Sequence, residues 1–313
     1  MSNIMFFIDV SKLISYDKNH DISIIRVSLN FTFYDNDILN NIDIFKKIQE
    51  LNCSKTILTR VPKELVNLQY LDLYNTKITE IPKELVNLQE LYCSMTKITE
   101  IPKELIRLRT LNCSDSKIKG IPKELINISR LDCHHTNITD IPKELINLIT
   151  LYCSGSQITR IPKLVNLKNL TCNNTKITEI PKELVNLQEL CCSDTQITKI
   201  PKELINLIYI DCSNTQITEI PKELTSVKEL ICSYTQITEI PKELINIIKL
   251  FYTKTRITEI PVTLERLNYI QSDVICILEH KSNVLRYKNK IKNIIKKSML
   301  NNDVLNIICS YIF

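Results

Sequence analysis

The chain of 313 residues contains no alanine and no tryptophan, and its two glycines, Gly120 and Gly155, stand alone. Isolated glycines exclude the usual phosphate loops, which need several such residues in a short span so the backbone can approach the anion. The cysteines form no C-x-x-C pairs, which argues against a zinc site. Met1 to Leu13 has no basic start and is interrupted by Asp9, so it predicts neither a secretory leader nor a membrane span. Proline is absent everywhere except at one point of an internal period. All eleven, from Pro62 to Pro261, follow one another at steps of 20, with a single step of 19 between Pro162 and Pro181. The short step arises because Pro162-Lys163-Leu164 lacks the Glu of its neighbours' Pro-Lys-Glu-Leu. Units repeated this strictly cannot bury their apolar faces alone and must stack on one another.

One unit runs Leu71-x-Leu73-x-x-Thr76-x-Ile78-x-x-Ile81-Pro82-x-x-Leu85-x-x-Leu88. Leu71 and Leu73 alternate with Asp72 and Tyr74, which predicts a short strand with two side chains inward and two outward. From Ile81 to Leu88 the apolar residues recur at i, i+4 and i+7 behind a proline, which predicts a 3-10 or helical return turn. Successive strands should pair in parallel, about 4.8 Å apart.

This unit resembles the leucine-rich repeat, L-x-L-x-x-N-x-L followed by a proline-containing return, over about residues 31 to 270. The resemblance implies an α/β solenoid with parallel strands on its concave face, short convex turns and a helical C-terminal cap. Two departures stand out. The family's turn Asn is replaced by Thr or Ser, from Thr56 to Thr255 in each unit, so a weaker ladder of side-chain hydrogen bonds is expected. The second inward strand position is Cys in nine units: Cys53, Cys93, Cys113, Cys133, Cys153, Cys172, Cys192, Cys212 and Cys232. A stacked column of small apolar side chains serves as core filler, since parallel side chains point the same way and disfavour disulfide geometry. It fits a reducing compartment, and a cytoplasmic location is expected.

Function is to be sought where the units differ. Outward residues beside the strand predict a partner-binding surface formed by Asp72, Tyr92, Asp132, His135, Tyr152, Asp211, Tyr234 and Phe251, with the aromatics as anchors. Only His134 and His135, beside Cys133 and Asp115, bring catalytic residue types together. Their spacing assembles no nucleophile, base and orienting group, so an enzyme is not expected, nor a cofactor or metal.

The ends differ from the middle. Residues 1–30 are expected to form an N-terminal cap, and 31–270 one degenerate and eleven regular repeats. In the degenerate repeat Phe31, Phe33, Asn36, Ile38, Phe45 and Ile48 fall on the template, and residues 21–29 could add a covering strand. Residues 271–313 carry seven Lys and Arg against three acidic side chains and predict a basic amphipathic helical cap. A single aromatic, Tyr287, interleaves those basic residues, too few for a stacking platform, so sequence-specific nucleic-acid binding is not expected. The last fifteen residues, with Asp303, Leu305, Ile308 and Ile312, resemble the opening helix of an F-box, with Asn301 where Pro is usual. That resemblance implies docking to the Skp subunit of a cullin ubiquitin ligase. The abundance of Ile, Asn, Lys and Tyr, with near-identical units, resembles leucine-rich-repeat proteins of giant DNA viruses of amoebae, which implies the host cytoplasm.

Overall fold

A computed structural model describes residues 6–7, 26–29, 35–40, 42–264, 267 and 269–271. Its strands form one sheet in strict sequence order, from β1 (Phe6–Phe7) and β2 (Arg26–Ser28) through β3 (Glu50–Asn52) to β14 (Tyr269–Gln271). Every neighbouring pair is parallel, and from β3 onward the register matches residues one repeat apart, such as Leu71 with Leu91 and Leu91 with Leu111. The architecture is the expected solenoid. From β3 to the strand before β14 each strand keeps three residues, with the central Leu or Ile buried and its neighbours facing outward.

The apolar pattern converts directly into a core. In the unit starting at Leu91, the side chains of Leu91, Cys93, Ile98, Ile101, Leu105 and Leu108 are all at most 3% exposed. Rungs are joined by backbone bonds that continue past the strand. The Cys93 N–H donates to the Asn112 carbonyl at 2.7 Å, and the Met95 N–H to the Ser114 carbonyl at 3.1 Å. The return segments between Glu50 and Leu264 contain no helix. Single turns stand there instead, closed by Leu85 N–H to the Pro82 carbonyl (3.3 Å) and Leu88 N–H to the Leu85 carbonyl (3.0 Å). Proline supplies no N–H to continue a helical ladder, and each rung must return to the sheet within a few residues.

The side-chain hydrogen bonds expected of the threonine column form within rungs and not between them. Each hydroxyl donates to a carbonyl of its own rung, three residues back, as in Thr96 to Cys93 (2.6 Å) and Thr215 to Cys212 (2.6 Å). A hydroxyl on a two-atom stem reaches its own turn but not the next rung. The ladder between rungs is made instead by asparagine in the return segments. Asn87 donates to the Val66 carbonyl (2.9 Å), Asn127 to Ile106 (2.8 Å) and Asn206 to Val185 (2.8 Å).

The first rung also departs from the template. Val27, not Phe31, pairs with Leu51, so this rung spans 24 residues. Two short helices, α1 (Asp35–Leu39) and α2 (Ile42–Phe45), occupy its return, with Ile38 and Phe45 buried. No proline interrupts this stretch, and Asp35 and Asp37 place negative charge in the first helical turn. The basic tail and the F-box-like residues Asp303, Leu305, Ile308 and Ile312 lie outside the described residues.

Candidate functional site

Six of the eight residues expected at the binding surface occupy one continuous column. Parallel pairing sets Asp72, Tyr92, Asn112, Asp132, Tyr152, Thr171, Cys191, Asp211, Ile231 and Phe251 side by side at the last strand position. His135 and Tyr234 belong to a second row, two residues past the buried Cys. That row is not strand. Its members all have positive φ, from 51° at His135 to 64° at Gly155. The chain leaves the sheet there through the left-handed region, and the side chains stand out at its edge, Tyr234 at 60% exposure. Asn75, Asn174 and Asn214 tolerate this conformation, but Lys55, Met95, His135, Tyr234 and Lys254 are held in it by the turn.

The acidic and amide residues of the strand column have a task inside the fold. The Asp72 carboxylate accepts the Tyr74 N–H at 2.9 Å, and Asp211 accepts the Ser213 N–H at 3.1 Å. Asn52 and Asn112 do the same for Ser54 and Ser114. These side chains cap the end of the strand, so their oxygens are partly spoken for. Burial raises the Asp72 carboxyl above its ordinary value, against which the Tyr74 N–H acts.

Aromatic contacts tie the column to the adjacent one. Tyr70 and Tyr92 lie with ring centroids 5.4 Å apart, and the Tyr92 hydroxyl donates to Glu90 at 3.1 Å. Burial first, and Glu90 second, raise the Tyr92 phenol above its usual range. The Arg130 guanidinium stacks over Tyr152 at 4.9 Å. Burial pushes Tyr209 up to about 12, with Cys191 adding to it.

Between these aromatics lies a polar cluster. His134 Nδ1 is 2.6 Å from Asp132, its Nε2 is 3.4 Å from Asp115, and the ring meets His135 edge-on with centroids 5.3 Å apart. Two carboxylates hold the imidazole between them, but no hydroxyl or thiol nucleophile hydrogen-bonds to it. Cys133 points into the core, where burial and the flanking column thiols raise its thiol well above the ordinary value. No group of three His, Cys, Asp or Glu able to hold a metal occurs among the described residues.

The return segments carry the Pro-Lys-Glu rows. Between Ile161 and Val262 these border a shallow groove of about 1370 Å³ with Lys and Glu from successive rungs on its walls. Lys163 reaches Glu183 of the next rung at 2.6 Å. Both ends are solvent-exposed, so such pairs add little stability.

The asparagine ladder and the left-handed row were missed in the sequence. A signal for each was present: Asn recurs at one place in Leu-Val-Asn-Leu, and Asn, Asp and Gly cluster two residues past the Cys. No described helix is long and apolar enough to cross a membrane.

The model for the family of leucine-rich repeats in two copies matches residues 66–107, about two rungs. No curated protein matches the chain. The functional domain of InlJ from Listeria monocytogenes, which includes a cysteine ladder, is similar in structure with a TM-score of 0.70 and 26% identity. The match covers 74% of this chain but 54% of that one, so the chain spans about half its length. A leucine-rich-repeat protein of Leptospira interrogans matches at TM-score 0.64 and 27% identity over 79% of this chain and 78% of that. The plant peptide hormone receptor RGFR1, solved in complex with RGF2, matches at TM-score 0.54 and 23% identity over 73% and 48%. By its period, its parallel sheet and these likenesses, the chain is a leucine-rich-repeat solenoid.

Proposed function

We propose that the chain is a non-enzymatic binding module whose strand face receives a protein partner. The observation that carries this is the contrast between rows. Inward positions repeat almost unchanged, whereas the two outward strand columns vary rung by rung and set Tyr92, Tyr152 and Phe251 of one beside Arg130 of the other on one rigid face. Rings already braced by Tyr70 and Arg130 lose little freedom on binding, so more of the contact energy appears as affinity. Because the Asp side chains cap strand ends, the aromatics and Arg130 carry the recognition, while His135 and Tyr234 reach a partner from the edge. The receptor likeness supports a protein or peptide ligand in kind only.

The test compares proteins captured from eukaryotic lysate by the wild type and by Y92A/Y152A/Y234A. A partner lost only from the variant, with circular dichroism unchanged, supports the strand face; a partner retained by the variant refutes it. The adaptor reading rests on residues 299–313 alone. It requires a Skp subunit to be captured by the full chain and lost from a 1–298 truncation. A reducing compartment such as the cytoplasm belongs to the same proposal, since the buried thiol column stays intact there.

A further inference from the structure

The two outward strand columns differ in charge from the chain as a whole. Between Glu50 and Phe251 they carry seven carboxylates against two cations, Arg130 and Lys249, on a chain whose formal net charge is +5. Six of those carboxylates fall into two groups of one design. In β4 (Tyr70–Asp72) a tyrosine and an aspartate share the outward side of one strand, and pairing sets Glu50 and Glu90 on either side of the tyrosine. β11 (Tyr209–Asp211) repeats the arrangement, with Glu189 and Glu229 on either side of Tyr209. In both, one aspartate oxygen accepts a backbone N–H, from Tyr74 at 2.9 Å and from Ser213 at 3.1 Å. Both rings are half-buried.

A phenol ring edged by three carboxylates attracts a cation, through its π-face and through the charges. The Tyr209 phenol responds to the same field: burial first, then Cys191, Asp211, Glu229 and Glu189, push it up to about 12. Lys249 already makes such a contact, with its ammonium 2.8 Å from Glu229. That pair is solvent-exposed, so an incoming cation exchanges with it at little cost.

We infer that the strand face takes a basic polypeptide segment, with one lysine or arginine cluster seated at each tyrosine–carboxylate group. The inference rests on the strand-face reading above and adds the chemistry of the partner. Charge selects this occupant, since a nucleic acid or an anionic lipid surface would meet like charge along these columns. Geometry sets its length. Seven rungs separate β4 from β11, about 34 Å at the usual strand spacing, and the shortest polypeptide reaching both groups is an extended one of about ten residues. Arg130 stands between the groups, so the middle of that segment carries no cation.

The test is fluorescence anisotropy with the full chain and labelled Ser/Gly peptides, each carrying two arginine pairs. Pairs about ten residues apart should bind at least about fivefold more tightly than pairs about five apart, because only the wider spacing reaches both groups. A peptide with glutamate pairs at the wider spacing should not bind. E189Q/E229Q, which neutralises one group without changing side-chain size, should bring the wider peptide to the affinity of the closer one. E203Q/E223Q removes the same charge from exposed positions of the return segments and should leave binding unchanged. Equal affinity for the two spacings, binding of the glutamate peptide, or an E189Q/E229Q that loses no more than E203Q/E223Q overturns the inference. So does a wider arginine peptide that stays unbound at about 100 µM. If Y92A/Y152A/Y234A still loses its captured partner in that case, the strand-face reading stands and the basic segment alone falls.

Discussion

Raising the pH should unfold this protein before its lysines titrate, because the core holds a column of nine protonated thiols. Burial pushes Cys93, Cys153 and Cys232 up to about 12. Cys113, Cys133, Cys172, Cys192 and Cys212 are raised well above the ordinary value by burial and then by neighbouring thiols; at Cys53 burial acts with Asp72. A thiol whose folded pKa lies above its unfolded one contributes stability that is intact below the unfolded value. That contribution is lost as pH rises toward the folded one. With an unfolded pKa of about 8.5, each thiol favours the unfolded chain by about 1.4 kcal/mol at pH about 9.5. Nine together remove about 13 kcal/mol, comparable to the whole stability of an ordinary domain, about 5–15 kcal/mol. Urea unfolding followed by far-UV circular dichroism, in reductant at pH about 7, 8.5 and 9.5, measures the loss. C113V/C133V/C153V should lose about a third less between the same pH values, which separates the thiols from tyrosine and lysine titration. An unchanged midpoint at the highest pH, or a variant that loses as much as the wild type, would refute the reasoning.

Two further predictions concern the left-handed row. Met95 has φ of 55° and is 49% exposed, so M95N should raise stability by about 0.5–1 kcal/mol in urea unfolding, by relieving backbone strain without touching the core. Gly155 has φ of +64°, and a Cβ there would lie 2.5 Å from His135 Nδ1. G155A should cost about 1–2 kcal/mol from the backbone alone and more while His135 is in place. A double-mutant cycle with H135A should therefore return a coupling of at least about 0.5 kcal/mol, and zero coupling would contradict the contact.

Much of the fold was legible because one apolar position per turn of the pattern leaves little choice. Leu91, Cys93, Ile98 and Ile101 recur at fixed offsets, and all end in the core. The turn after the strand was not legible from its residues. Lys55, Met95 and Tyr234 disfavour positive φ, and the neighbouring rung's carbonyl, which accepts the turn N–H, imposes it on them. The strand that pairs with β3 falls in the stretch 21–29 where a covering strand was expected, and not on the degenerate repeat from Phe31. Phe31 and Phe33 fit the template as well as Val27 does, but two helical turns lengthen that return and move the pairing to Val27. The capping role of Asp72 and Asp211 was not legible either, because an outward carboxylate in sequence carries no mark of the N–H it caps.

The solenoid, its inward faces and its cysteine column were determined by the order of residues alone, since a strict period with one apolar pattern admits only stacking. Which outward residues become neighbours was decided in three dimensions. Tyr92 and Asn112 are 20 residues apart, whereas Tyr152 and Thr171 are 19 apart, yet both pairs are in register. The missing residue is absorbed at Leu164, whose N–H donates to Pro162 two residues back at 2.8 Å, where other rungs close over three. The return turn yields because it is exposed and hydrogen-bonded locally; the sheet does not, because a shift there would turn its buried leucines outward.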